Sequence, residues 1–324
     1  MDWLVAVQAQ DYAGSKWGIA QRTRSDCTDN LDQTFNSGAL IRTHVLRPTW
    51  HFVRPADLRW LLMLTGPRVE ALNAYYYRQQ GLDPAKLARC VDLMANALSG
   101  GKHLMRSELG EALVDEGVGT SGLALSCAVI HAELEGVICS GPMRGKQFTY
   151  ALVDEWVPPA PSRTREEALA ELARRFVLSR GPVTAHDFAN WSGLTVADAK
   201  LGFEMNSGVI EEREGFWFGE LSPLPKSEKP VVHLLPNYDE YVSSYKDASQ
   251  LFSPPVWEKV RVDMSGLYAH FVAQDGKIVG GWKRTLSKKE AVMEFHFFTD
   301  VDEAALKRAV GAYELFLGIP VRLA

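Results

Sequence analysis

Thr164-Arg165-Glu166-Glu167-Ala168-Leu169 opens the stretch that decides the fold, which runs from Ser162 to Gly219. A threonine three residues ahead of a glutamate is a capping box, the signature of a helix start. Leu169, Leu172, Phe176 and Val177 then repeat at helical spacing until Gly181-Pro182 ends the run. Thr184 opens a short second helix with Phe188, Ala189 and Trp191 inward. Ser192-Gly193 makes a turn, and Thr195 caps a third helix reaching about Met205. Asn206-Ser207-Gly208 stops it, and Val209 to Phe218 reads as a β-hairpin. Three helices followed by a hairpin is the winged-helix pattern, a variant of helix-turn-helix.

Working outward, the same plan recurs at 83–157. Asp83-Pro84 starts a helix to about Leu98, Ser107 to Asp115 makes a short helix, and Thr120 to Glu135 a longer one. Gly136 to Leu152, turning at Ser140-Gly141-Pro142, supplies the wing, and Pro158 to Pro161 is a stiff linker into the 162–225 unit. A less regular copy occupies 1–82. There, a helix from about Asp29 to Ser37 precedes two strands around Arg47-Pro48, and helices at about Ala56 to Leu64 and Pro67 to Gln79 follow. Repetition of one supersecondary unit marks a tandem array. Residues 226–324 differ, with strand-like runs at Pro230 to Leu235, Val260 to Met264, Gly266 to Gln274, Lys277 to Trp282 and Ala291 to Phe298. Asp275-Gly276 is a hairpin turn, and a helix from about Asp302 to Leu317 closes the domain. The fold class is α+β: three tandem winged-helix units and a small C-terminal β domain.

A chain of 324 residues with 46% apolar content can bury several cores. No apolar run approaches the roughly 18 residues that span a bilayer, and Asp2 interrupts an N-terminus without a basic start. A cytoplasmic monomer without membrane contact is expected. Cys27, Cys90, Cys127 and Cys139 form no metal-like spacing, and the eight histidines are scattered, so no metal and no cofactor is expected. Net charge is −5, which argues against indiscriminate nucleic-acid binding, but the charge is uneven. From Lys259 to Lys289, seven basic residues face only Asp263 and Asp275, whereas Leu104 to Glu135 carries six acidic residues against Arg106. A basic face with an acidic back suits DNA.

At the N-terminus an apolar run ends in Val7-Gln8-Ala9-Gln10-Asp11. Residues two apart share a face of a strand but diverge by about 200° on a helix. Amides serving one site therefore sit where a helix ends and the backbone turns, an ending that Gly14 and Ser15 suit. Glutamine never titrates here; its carbonyl accepts and its NH2 donates. Such a pair suits holding a water or a base edge, and the rival reading is two solvated glutamines at a helix terminus.

Other motifs carry paired readings as well. Arg42, Arg47, Thr49 and His51 lie in the first hairpin, where they either line a pocket and touch phosphates or form a solvated face opposite a Trp50–Phe52 core. Leu234 to Tyr241, with Tyr245-Lys246-Asp247, gathers aromatics and carboxylates around a turn; Asp239 either stabilises positive charge or caps a helix. Lys283 and Arg284 end the Asp275-Gly276 hairpin and either grip phosphates or protect a strand edge. The third helices, Thr195 to Met205 and Thr120 to Glu135, are too acidic to enter a phosphate-lined groove.

Taken together, Val7 to Asp11, Arg42-Thr43 through Arg47-Pro48-Thr49-Trp50-His51, Leu234-Leu235-Pro236 with Asp239-Glu240-Tyr241 and Tyr245-Lys246-Asp247, and Gly280 through Lys283-Arg284 resemble the AlkZ-type winged-helix DNA glycosylases. The resemblance covers nearly the whole chain. It implies a concave surface of tandem winged helices and monofunctional excision of N7-alkylated purines from double-stranded DNA, with unhooking of interstrand crosslinks by some members. The family's catalytic Gln-x-Gln falls on Gln8 and Gln10, and its DNA-probing hairpin approximately on the strands around Asp275-Gly276. The candidate DNA contacts are Arg42, Arg47, Thr49, His51, Tyr241, Lys246, Lys283 and Arg284, with Asp239 as an electrostatic candidate. Members usually carry a helix ahead of the Gln-x-Gln segment; here only seven residues precede Gln8, so the first unit is expected to lack it. A DNA-binding transcriptional regulator without catalysis is the alternative, and a relative acting on something other than damaged DNA is a third.

Overall fold

The computed structural model of the protein describes residues 1–23, 28–119, 122–220, 229–261 and 270–324. The chain divides into two compact units, Met1–Ala9 with Asp32–Glu220 and Gln10–Leu31 with Leu221–Ala324. It mixes helix and sheet in both.

In the first unit, strand Arg47–Val53 lies between Ala6–Gln8 and Ile41–Val45, antiparallel to each. The turn between the second and third of these falls at Leu46, with φ +66°, and not at Arg47-Pro48. Leu46 is fully buried and its N–H donates to Thr65 Oγ1 at 3.1 Å, so tertiary packing moves the turn back. Pro48, exposed near an irregularity in the ladder, then sits where a missing N–H is tolerated.

The next two expected helices form one 25-residue helix, Pro55–Gln79, with Pro67 inside. An interior proline costs about 3 kcal/mol. Both halves bury apolar side chains, among them Leu58, Leu61, Leu64, Val69 and Tyr77, and that packing carries the helix through.

Residues 83–157 follow the expected order. Asp83 caps helix Pro84–Leu98 by accepting from Lys86 N–H, and Arg106–Glu111 and Leu123–Leu134 follow. Ile138–Ser140 and Thr149–Leu152 make the hairpin, which Leu104–Met105 extends to three strands. Leu87, Met94, Leu98, Leu109, Leu125 and Ala128 form the core here. Residues 120–121 of the expected third helix lie outside the described residues.

The stretch from Ser162 to Gly219 has the element order expected of it. Helices Arg165–Arg180, Ala185–Ser192 and Val196–Glu204 each start with a capping box, at Thr164/Glu167, Thr184/Asp187 and Thr195/Asp198. Glu211–Arg213 pairs with Phe216–Phe218 as the hairpin. Phe176, Phe188, Trp191 and Phe203 are fully buried, with ring centroids 5.0–5.6 Å apart along the cluster. Gly193 takes φ +73°, and a Cβ there would stand 2.1 Å from the Leu46 carbonyl oxygen. That contact joins the third helical set to the first turn, and only glycine permits it.

In the second unit, five strands run in the order Val321–Leu323, Ala291–Phe297, Lys277–Leu286, His270–Gln274, Val232–Leu235. All neighbours are antiparallel except the first pair. Helices Tyr12–Ala20 and Glu303–Leu317 contribute Trp17 and Tyr313 to a core with Leu234, Trp282 and Met293. Val260 was expected to open a strand; it closes helix Pro254–Val260, because Pro254-Pro255 presets the first helical turn. Residues 262–264 of that expected strand, and 266–269 of the next, lie outside the described residues.

Candidate active site

The Val7 to Asp11 segment is where expectation and structure differ most. Ala6–Gln8 is a strand that ends, and Tyr12–Ala20 a helix that begins; no helix ends here. Asp11 is the N-cap, its Oδ1 accepting from Gly14 N–H at 3.0 Å. Gly14 and Ser15 therefore lie inside the helix, where Gly14 leaves room for the Asp11 carboxylate and for Pro236. Gln8 closes the first unit's strand and is 8% exposed; Gln10, exposed, starts the second unit's segment.

Gln8, His51 and Thr43 stand in register across the three strands, so they share one face with Thr49. Gln8 Nε2 donates to Thr49 Oγ1 at 3.4 Å, and His51 Nδ1 lies 2.9 Å from the Thr49 carbonyl oxygen. His51 and Thr43 are fully buried, so this polar face is inside the protein and not in water. On the opposite face Arg42 is 5% exposed. Its guanidinium carbon lies 4.3 Å from the Trp50 ring and 4.4 Å from the Phe148 ring, and its Nε donates to the Ala9 carbonyl at 3.1 Å. Arg47 is half-buried.

Two further arginines, both from helix Arg165–Arg180 and neither singled out by the sequence, hold the main chain leading to Gln8. Arg175 donates to the Asp2 carbonyl at 2.6 Å and to Asp57 at 3.0 Å; Arg180 donates to the Leu4 carbonyl at 3.1 Å. Val5 between them has φ +65°, a strained conformation for a β-branched residue that these contacts hold in place. Burial opposes ionisation of Asp57, but hydrogen bonds from Arg54 and the charge of Arg175 outweigh it and hold the carboxyl below its ordinary range. No local motif signals these contacts, because carbonyl oxygens are invisible in a sequence.

In the second unit, Asp239 does two things at once. It caps helix Glu240–Ser243, accepting from Tyr241 N–H at 2.8 Å, and it forms a two-toothed ion pair with Arg22 at 2.6 and 2.9 Å. Burial disfavours the Arg22 charge, but Asp239 more than reverses this and raises its pKa. Tyr241 donates its hydroxyl to the Gly276 carbonyl at 2.7 Å, and Asp275 exchanges main-chain and side-chain hydrogen bonds with Val231. The Asp275-Gly276 turn is thereby fastened to its own sheet. At the other end of strand Lys277–Leu286, the Ser287–Glu290 turn exposes Lys288 and Lys289. Lys246 is exposed, Lys283 pairs with Glu294 at 2.9 Å, and Arg284 is half-buried against Trp282 and Tyr313. Among the described residues, no three His, Cys, Asp or Glu side chains are grouped to hold a metal ion. Among the described residues, no helix is long and apolar enough to cross a membrane.

The chain is a member of the AlkZ-like family of DNA glycosylases: the family described as "DNA glycosylase AlkZ-like" matches residues 1–316. Among curated proteins it is similar to the "Interstrand DNA cross-link repair glycosylase" of Streptomyces sahachiroi. The two are 24% identical over 301 residues, covering 86% of this chain and 80% of that protein. Among solved structures it superposes on the Streptomyces sahachiroi DNA glycosylase AlkZ with a TM-score of 0.76 and 21% identity, over 100% of this chain and 92% of the other.

Proposed function

We propose that this DNA glycosylase excises N7-alkylated purines from double-stranded DNA, unhooks interstrand crosslinks, and uses Gln8 and Gln10 to place the attacking water. The observation that carries the reading is Gln8: a buried, non-titrating amide, tied to Thr49 and set on a strand whose preceding main chain is held by Arg180 at the Leu4 carbonyl. Family membership and the crosslink-repair relative support DNA as the substrate.

The chemistry needs no strong base. An N7-alkylated guanine is already cationic, so the glycosidic bond breaks toward an oxocarbenium-like sugar with a good leaving group. What remains is to position a water and to favour the developing charge with fixed dipoles. Glutamine carbonyls accept the water's hydrogens and direct its oxygen at the sugar. The deciding experiment is incubation with duplex DNA bearing N7-methylguanine, scored for abasic sites, with a crosslinked duplex as the second substrate. Intact N7-methylguanine after prolonged incubation removes the alkylpurine reading.

A further inference from the structure

His270 stands in register with Trp282 on the neighbouring strand, and Arg284 follows Trp282 by two residues. The three side chains therefore lie on one face of the five-stranded sheet. The imidazole stacks on Trp282 at 4.6 Å between centroids and 30° between planes. The guanidinium carbon of Arg284 lies 5.6 Å from the Trp282 ring and 5.7 Å from that of Tyr313. Together these groups cover a fully buried tryptophan.

Two observations give this cluster a chemistry. The main-chain N–H of Asn237 donates to His270 Nδ1 at 2.7 Å, and a ring nitrogen that accepts carries no proton. The proton is on Nε2, which makes the ring a neutral donor. Burial and the Arg284 charge, opposed by Asp11, lower the imidazole to about 4, so it stays neutral at physiological pH. Arg284, for its part, has a buried Nη1 without a hydrogen-bond partner among the described residues. Its neighbour Lys283 already has Glu294. A desolvated guanidinium N–H with nothing to bond to is costly, and a planar cation on an aromatic platform suits an anion brought from outside.

We propose that His270 and Arg284 form a seat for one phosphodiester group of the DNA strand, His270 donating from neutral Nε2–H and Arg284 supplying the charge. The proposal rests on the reading of the chain as an enzyme acting on DNA. A phosphodiester fits because its two non-bridging oxygens accept from both donors; a cationic alkylated base is repelled by the arginine. The charge of Asp11, in the same unit, acts on both His270 and Tyr313.

The test is binding of a labelled undamaged duplex to the full chain across a salt series. His270→Phe keeps the stack on Trp282 and removes the N–H. It should weaken binding about tenfold at fixed salt and leave the slope of log affinity against log salt unchanged, since a neutral donor releases no counterion. His270→Gln, which restores a neutral donor, should recover most of that loss. Arg284→Gln should lower the slope by about one phosphate contact. The double variant should lose less than the product of the singles, because one phosphate serves both donors. Parental affinity in His270→Phe, a slope lowered by that change, or full additivity overturns the seat. Should His270→Phe melt far below the parent, the Nε2 proton resonance of the parent protein decides: it should shift on adding the duplex, and a stationary resonance overturns the proposal. Excision of N7-methylguanine is scored in parallel. Binding signatures as expected without excision keep the seat and remove the alkylpurine reading; excision with parental binding in His270→Phe does the reverse.

Discussion

Arg42 donates its Nε–H to the main-chain carbonyl of Ala9 at 3.1 Å, in the residue that joins Gln8 to Gln10. The guanidinium is clamped between Trp50 and Phe148, so one cation fixes the peptide between the two glutamines from beneath. From its place in the first hairpin, Arg42 reads in sequence as a candidate DNA contact. What the geometry offers is a brace.

Replacing Arg42 by lysine keeps the charge but loses both the planar stack and the Nε donor. We expect single-turnover excision of N7-methylguanine to fall about tenfold or more, since small displacements of positioned groups are expensive in rate. Affinity for undamaged duplex should change only a few-fold. A parental rate in Arg42→Lys would show that the brace does not govern the glutamines.

Gln8→Ala and Gln10→Ala should each lower the excision rate by about 10²-fold, the usual worth of a positioned hydrogen-bonding group. DNA affinity and melting temperature should stay near the parent for Gln10, which is exposed, and fall modestly for the buried Gln8. Gln10→Glu separates two mechanisms. Retained activity means that an acceptor suffices; a drop means that the NH2 also donates. Full excision by the double alanine variant would take both residues out of the chemistry.

Acid should destabilise the fold in two windows. His270 has a folded pKa lowered to about 4 from an ordinary 6.5, so the unfolded chain binds its proton first. Its contribution is complete above about pH 6.5 and is lost as the pH falls toward 4. Asp57 has a folded pKa below the ordinary value, so its contribution is present above about pH 3.9 and is lost only at lower pH. Urea midpoints measured from pH 7 to pH 3 check this. His270→Gln should flatten the upper window and Asp57→Asn the lower one; identical profiles for parent and variants would refute the assignment.

Trp191 is fully buried between Phe176 and the guanidinium of Arg180, 5.0 and 4.4 Å away. Trp191→Ala should cost roughly 3–5 kcal/mol by cavity formation. Gly193→Ala should also lower the melting temperature, because a Cβ would collide with the Leu46 carbonyl at 2.1 Å and φ is +73°. A calorimetric scan of both variants is the measurement, and parental melting in either would mean that the packing around Trp191 is misplaced.

Much of this protein was legible in its sequence because the signals are local. Capping boxes, apolar spacing and Asp275-Gly276 act within a few residues, and the structure has each where the pattern puts it. Gln-x-Gln could be quoted from the sequence, and the ordered set of motifs led to the right family. The backbone around the glutamines could not be read, since Gly14 looks like a helix stop until Asp11 caps the turn it sits in. Long-range partners were out of reach for the same reason. Asp239 finds Arg22 across 217 residues, His44 finds Glu133 across 89, and Asn237 fixes the His270 tautomer across 33. A buried charge or a main-chain carbonyl has no preferred partner along the chain; it takes whichever donor the packed core brings within about 3 Å. The sequence by itself determined most of the elements, through local signals, and the family to which the chain belongs. Only the tertiary structure decided which side chains are held and which are paired.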